Sequence, residues 1–124
     1  MTERDELNRI WETQEKELED IAINPGQYLK DAGYDENSDE DALDVFLSEG
    51  MLEVKREQSL QDRGWVTNSY TVVTGTGGPH VEFDTGYHIN VYWSDKMEAT
   101  TYNENARATI DRIEEYLKEL YPEE

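Results

Sequence analysis

Acidic side chains are the feature that most limits how this chain can fold. Thirty Asp and Glu residues against eleven Lys and Arg residues give a formal net charge of −19 over 124 residues. A charge of this size repels itself, so the compact state needs a packed core, bound cations or a basic partner to offset the repulsion. The chain also contains three Trp, eight Tyr and two Phe. Because disordered acidic segments are poor in aromatic residues, we expect a folded domain.

The rest of the composition excludes several classes of protein. A chain of 124 residues can bury one modest core but not two, so we predict a single domain over residues 1–124. Cysteine is absent, which excludes disulfide bonds and thiolate chemistry and indicates a reducing compartment. The first residues do not form a signal sequence, and no run of about 18 apolar residues could span a membrane, so we expect a cytoplasmic protein. Phosphate backbones and anionic lipids attract Lys and Arg, so the acidic surface argues against direct binding to either.

The first fifty residues have the periodicity of helices and form the acidic half of the predicted domain. Apolar residues at three- and four-residue spacing predict a first helix over residues 2–23. Asn24-Pro25-Gly26 ends this helix, because Pro disfavours helical geometry in the residue before it. A short helix over residues 27–32 is expected next. The apolar stripe of the first helix consists of Leu7, Ile10, Trp11, Leu18 and Ile21.

A third helix is predicted after a solvated acidic loop. Residues 35–41 contain five carboxylates and no apolar residue, which is typical of a loop. Ser38 or Asp39 is expected to cap a helix over residues 40–48. Gly50 is its predicted end.

From residue 51 onward the pattern changes to that of strands. Alternation and turn residues predict a four-stranded antiparallel meander over residues 51–94. In the last hairpin, a loop centred on Gly86 pairs Val81 with Val91 and Phe83 with Ile89 on the inner face. The outer face is then polar, as in an antiparallel sheet that is covered on one side. The four strands are predicted over residues 52–58, 65–74, 80–84 and 88–94.

A C-terminal helix over residues 101–121 completes the predicted fold. Thr101 and Glu104 have the spacing of a capping box. The helix should pack on one face of the sheet through an apolar stripe. The predicted fold class is therefore α+β, with N-terminal helices, a four-stranded antiparallel meander and a C-terminal helix. The apolar stripe consists of Ala106, Ile110, Ile113, Leu117 and Leu120.

The negative charge is concentrated in the helical half of the chain. Residues 1–50 contain sixteen acids and four bases, a balance of −12. Asp5 begins a row of carboxylates at helical spacing on the first helix, away from its apolar stripe. Like charges at this spacing destabilise a helix slightly, so this cost is either tolerated or used for a function. From this half we predict a partner-binding surface that consists of Glu12, Glu15, Glu19, Asp35, Glu36, Asp39, Glu40, Asp41 and Asp44.

Two uses of such a surface are open at this point. An ordered array of carboxylates can imitate a phosphate backbone and occupy the Lys- and Arg-lined groove of a nucleic-acid-binding protein. Alternatively, the acid keeps the protein hydrated in concentrated salt, and the partner is unrelated to the charge. The low number of lysines, five, fits salt adaptation, whereas the abundance of Ile, Tyr and Asn argues against it.

The motifs that suggest a metal or phosphate site are incomplete. Asp35, Asn37 and Asp39 begin like a calcium loop, but Glu40 replaces the required Gly and Phe46 replaces the bidentate Glu. The glycine-rich residues 75–78 lack the Lys of a phosphate loop and precede a strand, so they predict a turn. We therefore expect no metal site and no cofactor.

The candidate catalytic residues also have simpler explanations. His80 and His88 share the outer sheet face, which allows a metal or acid–base pair, but ion pairing or aromatic packing on an exposed face is the favoured explanation. Carboxylate pairs are unavoidable in a chain with thirty acids. Trp11 and Trp93 are expected in the core, and Trp65 on a rim. We predict no catalytic residues and a non-enzymatic function.

Two sequence segments precede the terminal acidic helix: GGPHVEFDT at residues 77–85 and HINVYWSD at residues 88–95. A third segment, Asn24-Pro25-Gly26-Gln27-Tyr28-Leu29, follows the acidic first helix. In these features the chain resembles small uncharacterised acidic proteins of bacterial plasmids, conjugative elements and phages. The resemblance implies an accessory protein of a mobile element. It also implies an inhibitor of host defence, of the anti-CRISPR or antirestriction type, and it carries over no active-site residue.

The leading hypothesis combines the acidic surface with this resemblance. The partner would be a basic nucleic-acid-binding protein, such as a CRISPR effector or a restriction nuclease, whose channel the acidic half occupies. The alternative is a halophile-adapted or accessory protein-binding module that uses the outer sheet face around Trp65, His80, His88 and Tyr92. The sequence does not determine the oligomeric state.

Overall fold

Helices cover one face of an antiparallel sheet in this α+β fold. The computed structural model describes residues 3–35, 38–62, 64–76 and 78–121. Three helical segments come first, and the third continues into a π-helical turn, Phe46–Gly50. The other helices are α1 (Glu3–Ile23), α2 (Pro25–Asp31), α3 (Ala42–Val45) and α4 (Glu104–Leu120). The strands are β1 (Glu53–Gln61), β2 (Gly64–Gly75), β3 (His80–Asp84), β4 (His88–Tyr92) and β5 (Lys96–Thr100).

The sheet is an antiparallel meander in the order β1-β2-β3-β4-β5. The predicted register of the β3–β4 hairpin is confirmed, because Val81 pairs with Val91 and Phe83 with Ile89. The prediction of four strands is wrong by one, since β5 pairs along the whole of β4. Residues 96–100 alternate between polar and apolar side chains, but they were missed because the inward residues, Met97 and Ala99, are not among those that favour strands.

The core lies between one face of the sheet and helices α1 and α4. Its larger cluster joins residues from all four helices to β2, β3 and β4. The ring of Phe46 is fully buried and contacts the rings of Tyr28 and Phe83, with centroids 6.4 and 6.1 Å away. Trp11 packs against both core clusters and donates a hydrogen bond from Nε1 to the Ile89 carbonyl oxygen at 2.8 Å. These two aromatic side chains therefore connect the helices to the sheet.

Both predicted helix caps are wrong. The N-cap of α3 is Asp41, whose Oδ1 accepts a hydrogen bond from the Asp44 amide at 3.1 Å. The N-cap of α4 is Asn103, whose side chain accepts from the amides of Asn105 and Ala106. The α3 helix is also shorter than predicted, because the chain changes to π geometry at Phe46.

Two apolar residues that were assigned to the core are exposed. The side chain of Trp93 is 57% exposed, because β4 ends at Tyr92 and Trp93 starts the turn to β5. Leu120 is 52% exposed at the last turn of α4, whereas the first four residues of that predicted stripe are buried. Tyr28 and Leu29 on α2 are buried.

Candidate functional site: the acidic surface

Four of the predicted contact residues are accessible and available. Glu12 on α1, Asp39 and Glu40 in the loop before α3, and Asp44 on α3 are all exposed. None of them belongs to an ion pair in the part of the chain that the structure describes. These carboxylates can therefore meet a cation from outside without first losing an internal one.

Two further carboxylates of the predicted surface are engaged inside the protein. Glu15 Oε2 accepts a hydrogen bond from Thr101 Oγ1 at 2.7 Å. Glu19 accepts a hydrogen bond from the side-chain amide of Asn103, the N-cap of α4. A negative charge beside a helix N-terminus is stabilising. Glu15 and Glu19 therefore attach α1 to the start of α4, which offsets part of the cost of the acidic row.

The remaining predicted residues lie in the connection from α2 to α3. Asp35 is exposed. Asp41 is exposed as well, but one of its oxygens serves as the α3 N-cap. Glu36 lies outside the described residues. Capping holds the end of this loop in a fixed position, because the Asp41 side chain and the Asp44 amide close it onto the helix.

Helix α1 carries carboxylates on two of its flanks. Glu15 and Glu19 face the N-terminus of α4. On the other flank, Glu17 and Asp20 line a cleft against α2, the helix that leads into the acidic loop. Glu17 and Asp20, which are not among the nine predicted residues, therefore lie on a different flank of α1 from Glu15 and Glu19.

The cleft between α1, α2 and the π-helical turn is an acidic feature that the sequence analysis missed. It has a volume of about 530 Å³ and contains four carboxylates, of Glu17, Asp20, Asp31 and Glu49. Lys16 Nζ lies 2.8 Å from Asp20 Oδ2 and is the cation of the cleft in the described chain. Glu17 and Asp20 are three residues apart on α1, which was the available signal. Only tertiary packing shows that this flank meets α2.

Burial in the cleft changes proton affinities. Burial raises the pKa of Glu17, and the nearby charges of Asp31 and Asp20 raise it further. Burial, followed by the charge of Glu17, raises the pKa of Tyr28 to about 12. Both groups therefore favour their neutral forms more than they would in water.

Replacing Glu17 with Gln should stabilise the protein near neutral pH. A raised folded-state pKa means that charged Glu17 opposes folding above that pKa, and that this cost disappears as the pH falls. The advantage of Glu17→Gln should thus be largest near neutral pH and vanish below about pH 4, where Glu is protonated in both states. Urea unfolding of the parent and of Glu17→Gln across this pH range measures the difference between their free energies of unfolding. A constant difference between them at every pH would contradict the assignment.

The outer face of the sheet holds the two histidines, each with its own carboxylate. His80 Nε2 lies 2.9 Å from Glu82 Oε1, and His88 Nδ1 lies 3.0 Å from Asp84 Oδ1. The rings of His80 and Tyr92 are 5.8 Å apart between centroids. A contact with a neighbouring carboxylate thus accounts for each histidine, and ring packing on Tyr92 accounts further for His80.

Trp65 is not part of the outer face with these histidines. It pairs with Leu60 of β1. Alternation along β1 places Leu60 on the same side as Val54, which packs against the core. Trp65 therefore shares the helix-covered side of the sheet, at its far end, where 55% of the side chain is exposed.

Within residues 3–35, 38–62, 64–76 and 78–121, no group of three or more His, Asp and Glu side chains is arranged to hold a metal ion. None of the described helices is both long and apolar enough to cross a membrane. No known family, curated protein or solved structure matches this chain. The resemblance to acidic proteins of mobile elements therefore stays a prediction.

Proposed function

We propose that this protein is a non-enzymatic inhibitor that occupies the basic nucleic-acid channel of a defence nuclease complex in the cytoplasm, in the manner of anti-CRISPR or antirestriction proteins. The observation that supports this proposal is the accessible acidic set Glu12, Asp39, Glu40 and Asp44, which is free of ion pairs among the described residues. Carboxylates on a helix and a capped loop can take the place of phosphates against Lys and Arg.

The contact surface in this proposal is narrower than the set predicted from the sequence. Glu15 and Glu19 contribute negative potential, but their hydrogen bonds to Thr101 and Asn103 are kept. The four accessible carboxylates make the direct contacts with the partner. Long-range attraction from the net charge of −19 accelerates association, and salt screens this attraction with a Debye length of about 8 Å at physiological ionic strength.

Charge reversal at the accessible set tests the proposal. Glu12→Lys, Asp39→Lys and Glu40→Lys together change the net charge from −19 to −13, because each reversal adds two. We expect this triple variant to bind a CRISPR effector or restriction nuclease at least about 100-fold more weakly than the parent does, through slower association and lost contacts. Displacement of fluorescent DNA from the purified nuclease measures the affinity.

A matched control has the same charge but different positions. Asp62→Lys, Glu115→Lys and Glu119→Lys also give −13, and all three residues are exposed and far along the chain from the proposed contacts. The affinity of this control for the nuclease should fall by less than about tenfold, because only long-range electrostatic steering is weakened. Equal losses in the two triple variants would show that only bulk charge matters and would reject the proposed surface.

A second candidate function uses the outer sheet face for protein binding, with the acid serving for hydration. It is favoured by an open depression of about 450 Å³ that is lined by Asp84, His88, Asn90 and Glu98. In that case His88→Ala and Tyr92→Ala would break the complex, while both acidic triple variants would bind normally.

A further inference from the structure

The β1–β2 hairpin is electrically different from the rest of the chain. Residues 53–75 contain three acids and three bases, so their net charge is zero, while the whole chain carries −19. No charged residue occurs within β2. In a molecule that repels copies of itself, a neutral hairpin is the surface on which two copies can approach at the lowest electrostatic cost.

β1 is an open edge of the sheet. In the described chain it pairs with β2 on one side and with no strand on the other. At nine residues it is nearly twice as long as each of β3, β4 and β5, which have five. The pairing of β1 with β2 contains a bulge, which is an extra residue in β2, Asn68. The side chains of β1 itself therefore alternate regularly from end to end. A long regular edge is a template for pairing with another strand.

Apolar side chains lie at both ends of β1 on the helix-covered side. A groove of about 290 Å³ at its beginning is lined by Leu52, Val54 and Leu120, among others. At its other end, Leu60 is 67% exposed and its cross-strand neighbour Trp65 is 55% exposed. An antiparallel partner with the same strand would place the end of one β1 against the beginning of the other.

We propose that a second copy of this chain pairs with β1 through its own β1, in antiparallel orientation, and that the two sheets become one continuous ten-stranded sheet. The two-fold axis passes at Arg56. Lys55 then lies opposite Glu57 of the second copy, and Glu57 opposite Lys55 of the second copy. In the same register Leu52, at the groove, lies opposite Leu60 of the second copy. An interface of this kind is isologous, so every contact occurs twice.

The order of charges along β1 favours pairing with β1 of a second copy in this register. On the outer face Glu53, Lys55 and Glu57 alternate in sign, and all three are exposed. The proposed register makes two Lys–Glu pairs on that face and faces Glu53 with the uncharged Ser59 of the second copy. Shifting the register by two residues would instead set Glu57 opposite itself. The proposed register also sets Arg56 opposite itself at the axis, on the other face of the strand. Cross-strand like charges are destabilising, but two Lys–Glu pairs outweigh this single like-charge pair, whereas the shifted register has one like-charge pair and no attractive pair. The proposed register is therefore preferred.

Charge swapping tests the pairing. Lys55→Glu and Glu57→Lys should each weaken dimerisation roughly tenfold or more, because two attractive pairs become two repulsive pairs. The double variant restores both pairs with exchanged signs and should dimerise like the parent. Sedimentation equilibrium of the full chain measures the dissociation constants, and circular dichroism confirms that each variant folds.

Glu57→Lys separates pairing from bulk charge. This substitution lowers the net negative charge from −19 to −17. Bulk repulsion alone would therefore make the variant dimerise more strongly, whereas the proposed pairing makes it dimerise more weakly. A parent protein that stays monomeric at high micromolar concentration, or a dimer that is indifferent to both single substitutions, would overturn the proposal.

The absence of cysteine allows the register to be tested directly. Arg56→Cys places a thiol beside its own copy across the axis, at a cross-strand Cβ separation of about 4.5–5.5 Å, so mild oxidation should give a disulfide-linked dimer. Ser59→Cys, which faces Glu53 of the second copy, is the matched control and should give much less. Equal yields would contradict the register. Both substitutions leave Glu12, Asp39 and Glu40 intact, so failure here is distinguishable from failure of the proposed function.

Discussion

Replacement of Phe46 with Ala is expected to lower the free energy of unfolding by about 3–5 kcal/mol, the range for loss of a buried aromatic ring. Phe46 is fully buried at the start of the π-helical turn and packs between Tyr28 of α2 and Phe83 of β3. Its removal leaves a cavity where the helical half meets the sheet. Since domains have total free energies of unfolding of about 5–15 kcal/mol, the variant should lose a large part of its stability. Urea denaturation measures the change.

Ile23→Ala provides the comparison for Phe46→Ala. Ile23 ends α1 with 56% of its side chain exposed, so its truncation should cost less than about 0.5 kcal/mol. If the two variants were equally stable, Phe46 would not connect the helices to the sheet as described.

Replacement of Trp11 with Ala should cost about 3 kcal/mol or more. The indole packs against both core clusters and donates to the Ile89 carbonyl oxygen at 2.8 Å. Trp11→Phe keeps most of the packing and removes the donor, so it should cost about 1–3 kcal/mol. The difference between the two variants separates packing from hydrogen bonding at the contact of α1 with β4.

Trp93→Ala is the matched tryptophan control. Its side chain is 57% exposed and lies beside Gly78 in the β2–β3 turn. We expect a loss below about 1 kcal/mol. A loss at Trp93 equal to that at Trp11 would mean that Trp93 belongs to the core after all.

The parts of the fold that could be predicted from the sequence depend on local periodicity. The apolar stripe was sufficient to predict α1. The alternation of side chains was sufficient to predict the register of the β3–β4 hairpin, because a shift of one residue would have exposed Val81 and Phe83. β5 was missed although its five residues alternate, because its two inward residues, Met97 and Ala99, are not strand-favouring and the segment is a short edge strand paired only with β4. The caps were missed because Asp41 and Asn103 compete with nearby residues of equal capping ability.

The acidic surface was predictable in composition but not in arrangement. Helical spacing placed Glu12, Glu15 and Glu19 on one flank of α1, but it could not show that Thr101 and Asn103 would bind two of them. These contacts join residues more than eighty positions apart, so only the packing of α4 against α1 creates them. The same packing decides which carboxylates stay available to a partner.

The most direct test of the central claim is the salt dependence of competition with nucleic acid. The parent protein is titrated against fluorescent DNA bound to a purified CRISPR effector or restriction nuclease at about 50 and 200 mM salt, a range over which contacts between phosphates and basic residues weaken strongly. An acidic surface in the basic channel predicts displacement of DNA at low salt and a steep loss of the inhibitor's own affinity for the nuclease as salt rises. No displacement at low salt, or an affinity that salt does not change, would contradict it.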